Sequence, residues 1–393
     1  MKRTIKDLVN LQGKVVLLRV DFNVPVDDGG KILDTTRIKS ELPTIKHLIE
    51  QKARVVIMSH LGRPDGYDVR KSLWPIALIL QKNLPCNVSF CNSVVGDEVK
   101  ERIKLLKDGD ILLLENVRFY KEEEACDMKF AREIASYGDI FVDDAFAVAH
   151  RQHATNYGIA RILPNAIGFL MEKEINELNN VLETPKRPFV AVLGGAKVET
   201  KVKILKRFIE RADTILIGGA MAYTFLKALG KSTGRSLVFD ESIAVAKEIL
   251  LKAEKEGKKL LLPVDHVCVH EGDKSEKTFV AGELSGDMVA YDIGPKTIQL
   301  YQSEIEKAGE IFWNGPVGKF EDKKSSNGSL KIAEAIAKSK AHTSVGGGDT
   351  VSAVNSFNLA DKFNFISTGG GASMKYLEDG SLPAIDVIQE KIQ

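Results

Sequence analysis

The first half of the chain alternates continuous apolar runs with amphipathic stretches of helical length. The runs occupy residues 15–20, 55–58, 111–114 and 140–142. Unbroken β-prone runs are typical of parallel strands that are covered on both faces. Helix-length stretches such as residues 71–83 and 122–136 lie between the runs. This alternation predicts a doubly wound parallel sheet, an α/β fold of the Rossmann-like kind.

The second half repeats a different pattern, in which an apolar run ends in two or three glycines. The glycine groups are Gly194-Gly195, Gly218-Gly219, 346–348 and 369–371. Glycine lets the backbone come close to a ligand, and a following helix offers unpaired N–H groups to phosphate. For any single pair, a tight turn chosen for packing is the alternative. Four repeats favour a second α/β domain that binds phosphate groups.

Residues 168–188 separate the two patterns. Their apolar positions recur at three- and four-residue steps, which is the helical period, and Pro185 and Pro188 end the pattern. We therefore predict an N-terminal domain over residues 1–168, a linker helix over 169–186 and a C-terminal domain over 187–380. A connector without a mechanical role is the alternative interpretation.

Length and composition agree with this division. A chain of 393 residues exceeds the size of a single hydrophobic core, and a formal net charge of +1 gives no general case for nucleic-acid or membrane binding. The four cysteines have no disulfide or metal-ligand spacing, and neither a signal peptide nor a membrane-spanning run is evident. These features predict a cytoplasmic protein.

Arginine is concentrated in the first half, where eleven of the fifteen arginines lie at or before Arg161. Polar residues follow each predicted strand, and carboxyl ends of parallel strands are where ligands bind. Each arginine alone is more often a surface charge, and a lone histidine is more often structural. Their recurrence at Arg37, Arg63, Arg118 and Arg151 predicts a site for a small anion.

The second half carries candidate nucleotide chemistry. Lys197 and Lys201 lie four residues apart, on one face of a helix. Asp349 and Thr350 follow a glycine triplet, and such a carboxylate and hydroxyl could hold Mg²⁺. Neither the GxxxxGK[ST] nor the GxGxxG motif occurs. Their absence excludes a P-loop enzyme and weakens a dinucleotide interpretation.

Eight motifs together resemble the phosphoglycerate kinase family over essentially the whole chain. They are RVDFNVP (19–25), SHLGRP (59–64), LENVRF (114–119), DDAF with AHR (143–151), LGGAKV (193–198), WNGP (313–316), GGGDT (346–350) and STGGGAS (367–373). The resemblance implies phosphoryl transfer between 1,3-bisphosphoglycerate and ADP, giving 3-phosphoglycerate and ATP. It also implies Mg²⁺ with the nucleotide, a monomer that closes about a hinge, and residues 381–393 packed on the N-terminal domain.

The resemblance also assigns site residues. Phosphoglycerate would bind Asp21, Phe22, Asn23, Arg37, His60, Leu61, Gly62, Arg63, Arg118 and Arg151. The nucleotide would bind Gly195, Lys197, Lys201, Gly219, Gly294, Asn314, Glu321, Gly346, Gly347, Gly348, Asp349 and Thr350, with Asp349 on the metal. The catalytic set would be Arg37, Lys197, Gly347 and Gly370.

Three departures from the family pattern stand out, at Ala147-Val148, Lys375 and Ala384. None of them removes a residue with an assigned role. Two other functions stay open at this point. One is an NAD-dependent oxidoreductase with two doubly wound domains, and the other is a two-lobed protein that closes on an anion without catalysis.

Overall fold

The computed structural model describes residues 1–272 and 277–391. The chain divides into two compact units. The first combines Met1–Asn176 with the segment that begins at Ser381, and the second is Glu177–Gly380. No helix of the described residues is both long and apolar enough to span a membrane.

The first unit contains a six-stranded parallel sheet in the order β3-β4-β2-β1-β5-β6. Its strands are β1 (Val15–Arg19), β2 (Arg54–Met58), β3 (Val88–Cys91), β4 (Ile111–Leu114), β5 (Ile140–Asp143) and β6 (Asn165–Ile167). The central strands are almost wholly buried, as the unbroken apolar runs predicted. The parallel α/β fold class is thereby confirmed.

Helices cross over between these strands. They are α1 (Thr36–Glu50), α2 (Trp74–Asn83), α3 (Asp97–Lys104), α4 (Lys121–Glu124) and α5 (Met128–Ala135). The single helix predicted over residues 122–136 is wrong, because α4 and α5 are separate. Cys126 between them has φ +51°, and the Asp127 carboxylate accepts hydrogen bonds from the amides of Lys129 and Phe130. Asp127 therefore starts a new helix.

Helix α6 (Phe169–Glu183) continues from the first unit into the second. It ends two residues before Pro185, which agrees with the proline stop in the sequence. Its buried positions include Met171, Leu178 and Val181.

The second unit has a parallel sheet in the order β15-β14-β13-β7-β8-β9. Its strands are β7 (Phe189–Leu193), β8 (Thr214–Ile217), β9 (Lys259–Leu261), β13 (Glu310–Asn314), β14 (His342–Val345) and β15 (Phe365–Ile366). Its helices are α7 (Val202–Arg211), α8 (Met221–Ala228), α9 (Ile243–Lys255), α10 (Pro295–Ile305), α11 (Asn327–Lys338), α12 (Gly348–Ser356) and α13 (Gly371–Asp379).

A smaller antiparallel sheet also lies in the second unit and was not predicted. It consists of β10 (His266–His270), β11 (Phe279–Ala281) and β12 (Met288–Ile293), with β10 in the middle. Its strands are only partly buried, β10 and β12 include polar residues, and β11 has only three residues. They therefore lack the long apolar runs that mark the central strands.

The C-terminal segment returns to the first unit, where it includes α14 (Pro383–Asp386). The Ala384 amide donates to the Ala149 carbonyl at 3.1 Å, and the Gln389 amide donates to Asn165 Oδ1 at 2.7 Å. Ala384 is fully buried, so this departure from the family pattern lies in a packed contact.

Candidate functional site

In the first unit, the segment after β1 holds an arginine at the carboxyl edge of the sheet. The buried Asp21 carboxylate pairs with the Arg37 guanidinium, which α1 supplies from its first turn. Asp21 Oδ1 also accepts from the Asn23 amide at 3.0 Å. Asn23 Oδ1 in turn accepts from the Gly62 amide at 2.8 Å, so the loops after β1 and β2 are joined.

His60 lies beneath this edge, almost completely buried. Arg19 Nη2 donates to His60 Nδ1 at 3.2 Å. Burial and the nearby charges of Arg19, Arg118 and Arg37 hold the pKa of His60 well below its usual value. The imidazole is therefore neutral, and because Nδ1 accepts from Arg19, the proton is on Nε2.

Arg118 follows β4 and belongs to the same edge. Its Nη1 donates to the Gly62 carbonyl at 2.7 Å, and its Nε lies 3.2 Å from Glu124 Oε1. Burial lowers the pKa of Arg118 to about 10. At neutral pH its guanidinium is still charged, and its charge is poorly solvated, which favours binding of an anion.

The remaining residues predicted for the acid site fall into two groups. Phe22 and Leu61 are buried and support the loops, whereas Arg63 is exposed. Arg151 follows β5 and is half-buried, with its Nε donating to His150 Nε2 at 3.3 Å. The structure thus places the predicted arginines after β2, β4 and β5 and at the start of α1.

A buried polar network behind this edge was missed by the sequence reasoning. Arg19 Nε donates to Thr155 Oγ1 at 2.9 Å, and Thr155 donates to Glu123 Oε1 at 2.6 Å. His153 lies 3.8 Å from the same carboxylate, and burial lowers its pKa to about 3. The signal in the sequence was Arg19 itself, the one charged residue inside an apolar run.

In the second unit, a cavity of about 440 Å³ opens where β7 and β14 lead into helices. It collects eight of the predicted nucleotide residues: Gly195, Lys197, Lys201, Asn314, Gly347, Gly348, Asp349 and Thr350. An adjoining cavity of about 750 Å³ shares Gly195 and Asp349 and adds Gly219 and Glu321.

The prediction that both lysines lie on one helix face is wrong, because Lys197 precedes the short 3-10 helix Glu199–Lys201, and the two side chains also differ in their surroundings. Lys201 Nζ donates to Asn314 Oδ1, and burial lowers the pKa of Lys201 to about 8. Lys197 is exposed, and its Nζ lies 5.2 Å from the centre of the Phe239 ring. A cation over an aromatic face is held without losing its water-facing side. The Lys201 side chain is therefore held in place by Asn314, whereas the Lys197 side chain is exposed and contacts the face of Phe239.

Two glycines place helix N-termini in this region. Gly347 has φ +91° and precedes α12, while Gly370 has φ +54° and precedes α13. Asp349 stands exposed in the first turn of α12. Such termini offer unpaired amides and a positive dipole end to an anion.

Three predicted residues line neither of the two cavities. Gly294 is buried before α10, where an added Cβ would meet the Asp265 carboxylate at 2.3 Å. Gly346 is packed against Met374, although its carbonyl accepts from Asn314 Nδ2 at 2.8 Å. Gly370 is the third.

Comparisons with known proteins agree with the motif pattern. The phosphoglycerate kinase family profile matches residues 5–380. The chain is 46% identical to a phosphoglycerate kinase of Finegoldia magna over 99% of this chain and 100% of that one. It is 47% identical to that of Dictyoglomus turgidum with the same coverage. The solved structure of phosphoglycerate kinase from Coxiella burnetii superimposes with a TM-score of 0.90 at 40% identity, covering 99% of this chain and 98% of that one.

Proposed function

The chain belongs to the phosphoglycerate kinase family, and we propose that its two units bind the two substrates of the reaction separately. The protein is a phosphotransferase that moves a phosphoryl group between 1,3-bisphosphoglycerate and ADP. In the direction of ATP synthesis, the bond from phosphorus to the carboxyl oxygen breaks as a bond to the ADP β-phosphate oxygen forms. Neither an oxidoreductase nor a non-catalytic binding protein is supported by the relatives.

The acid substrate is assigned to the first unit. In the reverse direction the attacking group is a carboxylate, which is ionised at neutral pH because its pKa is roughly 3.5, so a general base is not needed. Catalysis then depends on alignment and on countering negative charge. Arg37, fixed by Asp21, and the buried Arg118 supply directional positive charge where the strands end.

The nucleotide is assigned to the second unit. The observation that carries this assignment is the single cavity in which Lys197, Lys201 and the start of α12 meet. Polyphosphate fits a row of backbone amides with two ammonium groups beside it. Glu321 lines the adjoining cavity, and we propose that it contacts the nucleoside.

The residues fit a magnesium ion that travels with the nucleotide. Asp349 is an exposed carboxylate on both cavities, and a cluster of three or more metal-binding side chains is not found within residues 1–272 and 277–391. Asp349 would therefore hold the ion by one carboxylate, with phosphate oxygens and water as the other ligands. When bound, the ion neutralises charge on the phosphates.

Arg37 and Lys197 are the proposed catalytic pair, one from each unit, and the amides at Gly347 and Gly370 complete the stabilisation of the moving group. Transfer between two units requires them to close when both ligands are bound, which also excludes water. Gly168 and the residues in the 380s are the proposed hinge positions, and we propose a cytoplasmic monomer.

A coupled assay tests the reaction by following ATP formation from ADP and 1,3-bisphosphoglycerate. Titration of the isolated protein with 3-phosphoglycerate or with Mg-ATP alone tests the two binding assignments. X-ray scattering tests closure, for which we expect a smaller radius of gyration with both ligands than with either one. An unchanged radius would remove the closure step while leaving the binding assignments intact.

A further inference from the structure

Glu41 is a fully buried carboxyl group next to the proposed acid site. It lies on α1 one helical turn after Arg37. Its Oε1 accepts a hydrogen bond from the Asp21 amide at 2.9 Å. Glu41 therefore holds the backbone of the residue whose carboxylate fixes Arg37.

Asp144 is a second fully buried carboxyl group, just after β5. Its Oδ1 accepts from the Met171 amide at 2.8 Å, and the Leu170 amide also hydrogen-bonds to it. An added Cβ at Gly168 would lie 2.2 Å from Asp144 Cγ, so the carboxyl packs directly on the entry to α6. A negative charge there caps the first turn of α6 and complements its dipole.

The two buried carboxyl groups are close enough to influence each other, and the charge of Asp144 raises the pKa of Glu41. Within the described residues, neither Glu41 Oε2 nor Asp144 Oδ2 has an N–H or O–H donor. Two ionised carboxylates in contact and away from water would repel strongly. A single proton between these oxygens satisfies both, as in other paired carboxyl groups.

Of the two carboxyl groups, Glu41 is the one whose surroundings favour the protonated form. Asp144 receives hydrogen bonds from backbone amides and from Thr44, and these favour its ionised form. Glu41 receives one, from Asp21. Burial and the two neighbouring acids raise the pKa of Glu41 well above its usual value, while burial raises that of Asp144 to about 6.

We propose that Glu41 is a positioning residue for the reaction, and that its shared proton with Asp144 ties the Asp21–Arg37 pair to the first turn of α6. The tie links the acid-binding segment to the helix that continues into the second unit. This inference rests on the proposed function, because it assumes that Arg37 binds the acid substrate.

The other charged groups around Glu41 favour a proton shared with Asp144. Asp21 faces Glu41 from the segment after β1, and Asp144 faces it from the end of β5. Arg37, on the same helix, is engaged by Asp21. Asp143, beside Asp144, is also buried, and burial raises its pKa to about 7. As pH rises and the shared proton is lost, repulsion between Glu41 and Asp144 loosens the tie.

The experiment compares E41Q and E41L with the wild-type protein. Glutamine accepts from the Asp21 amide and donates to Asp144 at every pH, whereas leucine does neither. E50Q is the matched control, because it makes the same glutamate-to-glutamine substitution at the exposed end of α1. The measurement is kcat/KM for 3-phosphoglycerate at saturating Mg-ATP, from about pH 6 to about pH 9.5.

We expect wild type and E50Q to lose kcat/KM at alkaline pH relative to E41Q, whose profile is flatter. E41L should show KM for 3-phosphoglycerate raised about tenfold throughout, with a smaller change in kcat. An E41Q profile that superimposes on wild type, or an E41L protein that matches E41Q, overturns the positioning role.

Infrared spectroscopy of the ligand-free protein separates this inference from the proposed function. Wild type should show the C=O stretch of a protonated carboxylic acid at neutral pH, and both E41Q and D144N should reduce it. A spectrum unchanged in both variants overturns the shared proton, even if activity is as proposed. If E41L fails to fold, the E41Q profile and the spectrum still decide.

Discussion

The candidate anion sites of the two units are built in different ways on the same architecture. Each has a six-stranded parallel sheet with its candidate site where strands end. In the first unit the positive charge is on side chains such as Arg37 and Arg118, held by buried acids and loop carbonyls. In the second unit much of it comes from backbone amides at helix starts, with close glycine packing beneath.

This difference predicts which kind of change each site tolerates. Buried charges in the first unit are balanced one against another, so that site is sensitive to the loss or gain of a charge. Glycine turns in the second unit touch neighbouring backbone, so that site is sensitive to the addition of volume. Glycine also suits a polyphosphate, because many amides can reach it, while guanidinium forks suit a small acid of fixed geometry.

The largest expected effect is on catalysis by the two proposed catalytic cations. Arg37→Ala and Lys197→Ala should each lower kcat about a hundredfold or more, about 3 kcal/mol in the barrier, because each removes countercharge from the moving group. Steady-state kinetics with both substrates measures this. Circular dichroism melting checks that the variants are folded.

Matched controls remove a cation elsewhere on each unit. Arg54 pairs with Asp108 at the start of β2, and Lys206 pairs with Glu248 on the surface of α7. Alanine at either should leave kcat within about twofold, since exposed ion pairs contribute little. Near-normal turnover in Arg37→Ala or Lys197→Ala would remove that residue from the catalytic pair.

The next effect is steric and falls on the second unit. An added Cβ at Gly194 would lie 2.0 Å from the Pro316 carbonyl oxygen, so Gly194→Ala should lower the free energy of unfolding by about 3 kcal/mol. Gly282→Ala is the control, because nothing lies within 4 Å of its added Cβ. Denaturant titration compares them, and equal midpoints would contradict the close-packing interpretation.

The central strands could be predicted from the sequence because strands that are buried on both faces consist of unbroken apolar runs. The run at residues 111–114 coincides with β4. The antiparallel sheet escaped because β10 and β12 mix polar and apolar residues without a clear period. The break at Cys126 depends on one residue with positive φ, which propensity does not reveal.

The sequence predicted those parts of the candidate site that lie in recognisable motifs or directly after a predicted strand. Eight of the residues predicted to bind the nucleotide line one cavity, whereas Gly294 lies at a buried turn against Asp265. Glu41 and Asp144 lie about a hundred positions apart in the sequence, and although Asp144 belongs to a motif after a predicted strand, nothing in the sequence pairs it with Glu41. Such pairs depend on tertiary packing, which a single sequence does not show.

A smaller effect tests how strongly the candidate site of the second unit depends on the charge of a side chain, as opposed to the backbone amides at its glycine turns. Burial lowers the pKa of Lys201 to about 8, so its ammonium is charged below that pH and neutral above it. We expect KM for Mg-ATP to rise about tenfold between about pH 7 and about pH 9.5, as one charged hydrogen bond is lost. Initial rates at saturating 3-phosphoglycerate measure it.

Lys201→Arg separates this titration from others in the assay. Arginine stays charged throughout the range, so the variant's KM for Mg-ATP should change less with pH than that of wild type, even if its absolute value is higher. Parallel pH profiles for the two proteins would exclude Lys201 as the titrating group. Nucleotide binding by the second unit would then depend on backbone amides and not on the charge of Lys201.

The smallest effect is expected at Lys375, where the family pattern usually has an acid. Lys375 Nζ lies 2.7 Å from Asp379 Oδ2 on the exposed face of α13, and Asp379 also has Lys203 as a partner at 3.3 Å. Lys375→Glu should therefore lower the midpoint of unfolding only slightly, and high salt should remove the difference, because solvent screens these charges. Lys375→Gln distinguishes loss of the ion pair from new repulsion. A large, salt-independent loss in Lys375→Glu would show that charge is as critical in the second unit as in the first.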